Sequence, residues 1–289
     1  RTAAPCALAL LFCNLCRICM SVAVIPAAQE LGWAPGTQGL VQSSFLWGYM
    51  ATQLLGGTMA DLLGGKFTMA VSIAWFGLAT ALTPLRARGG ALWPLLLVRF
   101  LVGVGQGLTL PAMNNLISTG VPRARKAQGL GVAFTGFHCG NIVGLMASPA
   151  AMAALGWRGL FYLYGAAGSA VLLAWSFAVP DTRRRPQGAG EERPRALGKT
   201  GVLALLGKPE VLAIITANFV NHWGYFIYLN WLPSYFYNTL GLSVAQSSAF
   251  SILPWAVMAA GSSTSGWLAD ELIRRGLPTL TVRRGMQTV

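Results

Sequence analysis

The stretch Gly57-Thr-Met-Ala-Asp61-Leu-Leu-Gly-Gly-Lys66 returns later in the chain as Gly266-Trp-Leu-Ala-Asp270-Glu-Leu-Ile-Arg-Arg275. Both read G-x-x-A-D and then basic residues, and the offset from Gly57 to Gly266 is 209 residues. Each copy closes a long apolar run. A repeat at that distance, placed at the end of a hydrophobic segment, marks a chain built from two like halves.

Working outward, the apolar runs recur along the whole length, at about 4–28, 37–60, 66–85, 91–118, 126–154, 157–179, 209–236 and 245–270. Each is near the 20 residues that a membrane helix needs. The chain is 54% hydrophobic and 10% charged, whereas soluble domains carry about 25% charged residues. The predicted fold class is an all-α membrane protein. Residues 1–179 form a six-helix bundle, 180–208 a polar basic linker, and 209–289 the first part of a second bundle. If the second half mirrored the first, further helices would follow Asp270. The expectation is therefore a polypeptide truncated to about eight transmembrane helices, beginning at Arg1 after a missing N-terminal region.

The net charge of +13 would suggest nucleic acid in a soluble protein. Here Lys66, Arg123, Arg125, Lys126, the arginines of 183–195, Lys199, Lys208, Arg274, Arg275, Arg283 and Arg284 fall in alternate loops. The other side carries only Arg86, Arg88 and Arg158. That is the positive-inside pattern of a membrane protein, and it excludes a nucleic-acid partner. Cys13, Cys16 and Cys19 follow a C-x-x-C-x-x-C spacing, but without a fourth ligand or a loop they read as small apolar residues in a buried helix. His138 and His222 are isolated. No nucleophile–base pair is visible, so the chain reads as neither enzyme nor metalloprotein, and no cofactor is expected.

Two charges break the apolar pattern. Arg17 lies inside Cys6–Ala28 and Arg99 inside Ala91–Leu116. All eight acidic residues (Glu30, Asp61, Asp181, Glu191, Glu192, Glu210, Asp270, Glu271) fall at helix ends or in loops. A charge at the bilayer centre costs about 3 kcal/mol or more and persists where it faces a watery cavity or a partner. Two unneutralised guanidiniums make such a cavity a site for a small anion, because the planar fork suits carboxylate and phosphate. Helical spacing adds inward-facing polar residues: Asn14 and Ser21 beside Arg17, Gln106 beside Arg99, and Thr135, His138 and Asn141 on the fifth run. Asn218, Asn221, His222 and Tyr225 do so on the seventh, and Gln42, Ser44, Trp47, Tyr49 and Gln53 on the second. The candidate anion-binding set is Arg17, Arg99, Gln106, Tyr49, His138, Asn221 and His222. The repeated motif (Gly57, Asp61, Lys66, Gly266, Asp270) is the candidate cytoplasmic gate, with each aspartate expected to pair with an arginine or lysine of a neighbouring helix. Gly136, Gly140 and Gly144, and Gly103 with Gly107, predict close helix–helix approach.

Several stretches resemble the anion:cation symporter branch of the major facilitator superfamily, whose members include sodium/phosphate cotransporters, sialin, vesicular glutamate transporters and plant plastid anion transporters. They are Val41-Gln-Ser-Ser-Phe-Leu-Trp-Gly-Tyr49 through Gly57, Arg99-Phe-Leu-Val-Gly-Val-Gly-Gln-Gly107, Leu110-Pro-Ala-Met-Asn-Asn115, Gly156-Trp-Arg-Gly-Leu-Phe161 and Asn230-Trp-Leu-Pro-Ser-Tyr235. The resemblance implies a twelve-helix monomeric carrier, with symport of phosphate or an organic anion and sodium or a proton as coupling ion. It also implies a location in the plastid envelope or thylakoid membrane. By resemblance Arg99 and Arg17 match the family's arginines of the fourth and first helices. The chain departs from the pattern at Gln106, where relatives place glutamate, at His138, where they place tyrosine, and at Asn221-His222-Trp223, which reverses a His-Asn-Trp order. The alternative is a non-transporting portion of such a carrier.

Overall fold

The computed structural model describes residues 2–86, 92–122, 125–179, 204 and 206–288. Most of the basic linker at 180–208 lies outside them, as do Arg88 and Arg123. The described helices are α1 (Ala3–Leu31), α2 (Pro35–Leu63), α3 (Gly65–Arg86), α4 (Leu92–Gly107), α5 (Thr109–Gly120), α6 (Lys126–Ala178), α7 (Pro209–Leu240), α8 (Val244–Phe250), α9 (Leu253–Arg274) and α10 (Thr279–Thr288). No strand occurs among the described residues.

Five runs have the length and hydropathy of membrane spans: Ala3–Leu31, Gly65–Leu85, Leu92–Gly120, Lys126–Ala178 and Val244–Arg274. The first three match apolar runs of the sequence directly. Leu92–Gly120 joins α4 and α5 across Leu108, and Val244–Arg274 joins α8 and α9 across Ser251 and Ile252. The 53 residues of α6 are far too long for one crossing of a hydrocarbon core about 30 Å thick. At Gly156 the backbone takes φ 69°, ψ 170°, a conformation that suits only glycine. The hydroxyls of Ser148 and Tyr164, on either side of that glycine, then meet at 3.1 Å, so the chain doubles back and crosses twice. With α2 (29 residues) and α7 (32 residues), eight membrane-length passages stand among the described residues, as the apolar runs predict.

Small residues set the packing. A Cβ at Gly136 or Gly140 of α6 would fall on the Ala7 or Leu11 carbonyl of α1, and one at Gly103 of α4 on the Phe45 carbonyl of α2. Helices approach this closely only where a side chain is missing. In lipid, which is as apolar as leucine, such contacts replace the hydrophobic drive of a soluble core. α1 is the most enclosed helix, with Cys6, Cys13, Cys16 and Cys19 all buried thiols. Cys13 lies against the Thr109 hydroxyl and Cys19 donates to the Cys16 carbonyl. Among the described residues no group of three metal-ligating side chains gathers.

α6 meets α9 and α1 meets α7 along two seams. On one, Thr135 of α6 hydrogen-bonds the Ala259 carbonyl (3.1 Å) and the Ser263 hydroxyl (2.5 Å) of α9. On the other, Gln29 Nε2 at the end of α1 donates to the Tyr237 hydroxyl of α7 at 2.6 Å.

Candidate anion site at the bundle centre

α1 carries Arg17 at its midpoint, and the side chain is only 4% exposed. Its Nε donates to Gln106 Oε1 at 3.0 Å, and Gln106 Nε2 in turn donates to the Cys13 carbonyl of α1 at 3.1 Å. The amide thus clips α4 to α1 and holds the guanidinium in one orientation. The cation is wrapped by aromatic faces: its Cζ lies 4.8 Å from the Tyr49 ring, 5.1 Å from Phe45 and 5.8 Å from Phe137. Cation–ring attraction strengthens when water is excluded, to about 2 kcal/mol.

Arg99, 3% exposed, lies about two turns from Gln106 on the same face of α4, at the middle of that helix. Its Cζ is 5.6 Å from the Phe45 ring, and its Nε has no hydrogen-bond acceptor. One phenyl ring thus contacts both guanidiniums. Neither arginine is paired with a carboxylate among the described residues. The ion pairs there join Arg158 to Glu30 (2.7 Å) and Arg274 and Arg275 to Glu271, all at helix ends.

Tyr49 stacks on Phe45 at 5.8 Å and meets Phe226 of α7 edge-on at 6.5 Å. His138 of α6 stacks on Trp255 of α9 at 6.4 Å and touches Phe137 at 5.4 Å; its Nδ1 is buried without a partner. Arg17, Arg99, Gln106, Tyr49 and His138 are thus gathered around Phe45 and Phe137. Asn221 and His222 are not: both are exposed on α7, where His222 Nδ1 meets the Asn218 carbonyl at 2.9 Å. His222 reaches the cluster only through Phe226, 6.3 Å away. The aromatic wall of Phe45, Phe137 and Trp255 was missed by the sequence reading. The signal available was spacing, since Phe45 precedes Tyr49 by one helical turn.

The repeated motif is anchored differently from the expectation. Asp61 Oδ1 accepts from Asn115 Nδ2 of α5 at 3.2 Å, and Asn115 Oδ1 accepts from the Gly65 amide at 3.1 Å. Asp270 Oδ2 accepts from the backbone N–H of Gln128, in the first turn of α6, at 2.8 Å. A helix start offers free N–H groups and a partial positive charge, so a carboxylate there needs no arginine or lysine. Gly266 lets α9 lie against the Ala127 backbone beside this contact, Gly57 has open space around it, and the Lys66 carbonyl accepts from Trp175 Nε1 at 3.1 Å.

Comparison with known proteins gives the fold its place. The chain is 38% identical over 289 residues to the chloroplastic ascorbate transporter of Arabidopsis thaliana, covering 96% of the chain and 53% of that protein. It is 38% identical over 294 residues to the chloroplastic sodium-dependent phosphate transport protein 1 of the same plant (98% and 57%). It is 39% identical over 297 residues to the chloroplastic probable anion transporter 1 of Oryza sativa subsp. japonica (98% and 55%). The chain therefore spans about half the length of the curated relatives it matches. Among solved structures, a bacterial homologue of the human lysosomal transporter Spinster superposes with a TM-score of 0.75 at 19% identity, over 96% of this chain and 65% of that one. A D-xylose–proton symporter superposes with a TM-score of 0.67 at 15% identity, over 94% and 68%. Residues 6–282 match the Major Facilitator Superfamily, and the chain belongs to that family.

Proposed function

We propose that the protein is a secondary active carrier that moves a small oxyanion, inorganic phosphate or an organic acid, across a plastid membrane by alternating access. The observation that carries this reading is the pair of buried guanidiniums, Arg17 and Arg99, facing one aromatic ring with no carboxylate to neutralise them. Burying two like charges is costly, and an anion at this point offsets that cost. The relatives' names favour carriage of anions over a non-transporting portion of a carrier. Arg17 supplies a fork fixed by Gln106, and Arg99 raises the local potential and offers a second guanidinium to the anion. The α6–α9 seam, with Asp270 on the first turn of α6, acts as the inner gate. The α1–α7 contact of Gln29 with Tyr237 acts as the outer one.

The test is uptake of labelled phosphate or ascorbate by liposomes containing the protein, with sodium, pH and voltage gradients imposed separately. Saturable anion uptake that disappears in Arg99→Ala and weakens in Arg17→Ala is expected. Uptake indifferent to both substitutions would defeat the reading.

A further inference from the structure

Beside Arg17, polar groups of α1 and α6 converge on one oxygen contributed by the other half. The Tyr225 hydroxyl of α7 donates to Asn14 Oδ1 at 3.4 Å, and the Arg17 guanidinium and the Asn141 amide lie within electrostatic reach of the same oxygen. The Tyr225 ring is fixed there by Phe137 at 6.0 Å and Trp255 at 5.4 Å.

The donor and acceptor pattern around this point is specific. Asn14 Nδ2 is tied to the Leu10 carbonyl at 3.1 Å, so Asn14 turns its oxygen, an acceptor, towards the centre. Asn141 is fully buried, and its amide makes no well-formed hydrogen bond among the described residues, only a looser one with the Tyr225 hydroxyl. An orphaned buried polar group costs about 1–3 kcal/mol, and it persists where a partner arrives from outside the fold. Arg17 has donors left after its Nε bonds Gln106. The site thus offers donors from Arg17 and Asn141 together with acceptors from Asn14 and Asn141. A ligand with only acceptor oxygens leaves both acceptors unsatisfied. A ligand carrying a charged oxygen and an O–H group meets both donors and one of the acceptors, and a second O–H group meets the other.

We propose that Asn14 and Asn141 bind the transported anion together with Arg17, that they select an oxyanion bearing at least one O–H group, and that the Tyr225 hydroxyl occupies the place of that group until the anion displaces it. This rests on the anion-carrier reading and narrows its substrate class. Hydrogen phosphate and hydroxy acids fit, and sulfate, which carries no proton at neutral pH, does not. Displacement of Tyr225 also links filling of the site to movement of α7, because the same hydroxyl bridges the two halves.

The experiment is calorimetric titration of the purified protein at pH 7 with two matched pairs, phosphate against sulfate and glycerate against propionate. Sites built to bond a hydroxyl reject analogues lacking it by factors of up to about 10⁴–10⁵. A preference of at least about thirtyfold for the hydroxyl-bearing member of a pair is expected. Asn14→Ala and Asn141→Ala should bring that ratio towards one, with unfolding temperatures showing that both variants fold. Tyr225→Phe should tighten binding about three- to tenfold, since no hydroxyl has to be displaced; a purely structural tyrosine would not give tighter binding. Equal affinity for both members of each pair in the wild type, or a Tyr225→Phe variant with weaker or unchanged affinity, overturns the proposal. If anions still bind and Arg17→Ala still weakens that binding, the carrier reading survives that result. Failure of all four anions to bind the wild type removes the carrier reading and this inference together.

Discussion

Arg17 Nε and Gln106 Oε1 are joined by a 3.0 Å hydrogen bond, so a cation at the centre of the bundle is held by a neutral amide. The amide fixes the guanidinium without cancelling its charge. A glutamate at the same place would do both.

That contrast gives the first prediction. Gln106→Glu places a carboxylate against Arg17 that competes with the transported anion at neutral pH. Protonation removes the competitor, so the sign is fixed: uptake in the variant rises as pH falls towards the ordinary glutamate range near about 4.3. The wild type should lack this dependence. Initial rates between pH 5 and 8, wild type against variant, check it, with at least about a tenfold loss expected at pH 7.5.

Arg99→Ala is expected to abolish uptake, and Arg99→Lys to leave a reduced remainder, because lysine keeps the charge and loses the fork. Arg17→Ala should weaken anion affinity by about tenfold or more. The measurement is apparent affinity and maximal rate for each variant; wild-type values in Arg99→Ala would show that this arginine is structural.

Coupling should follow sodium or membrane potential rather than a proton relay in these helices. Among the described residues the carboxylates stand at helix ends, and His138 and His222 are the only histidines. Uptake driven by an imposed pH gradient alone, surviving both His138→Gln and His222→Gln, would contradict this.

Asp270→Asn removes a charge from the first turn of α6 while leaving an acceptor there. A carboxylate at a helix start contributes about 0.3–1 kcal/mol, so the closed inner gate should lose roughly two- to fivefold in population. Labelling of cysteines introduced along α9, which reports exposure of that seam, should rise by that factor.

Packing can be tested without transport. Gly136→Val puts an isopropyl group, its Cβ first, against the Ala7 backbone of α1, whereas Gly57→Ala adds one methyl group into open space. Overpacking typically costs about 1–3 kcal/mol. The unfolding temperature of the first variant should fall by several degrees, and that of the second should stay put.

The passages were legible in the sequence because hydrocarbon accepts only continuous apolar helix, and Gly136, Gly140 and Gly103 announced which faces touch. The two arginines were legible for the same reason, as charges in an apolar run. The partners across the seams were not. Whether Asp270 meets an arginine or the start of α6, and whether Tyr225 rather than His222 points inward, depends on the rotation of each helix about its axis. Hydrophobic periodicity sets that rotation in water, but in a bilayer the outside of the bundle is as apolar as its core. Phe45 and Phe137 could equally have faced lipid.

The turn at Gly156 bears on how the chain enters a membrane. With the fifth and sixth passages turning at one glycine, they are expected to enter as a hairpin whose tip alone crosses. The tip is then latched where Glu30 receives Arg158 at 2.7 Å and Trp157 Nε1 at 2.7 Å. A turn this short should offer a protease little slack to cut between these two passages, and a tag inserted there should disturb the Glu30 contacts.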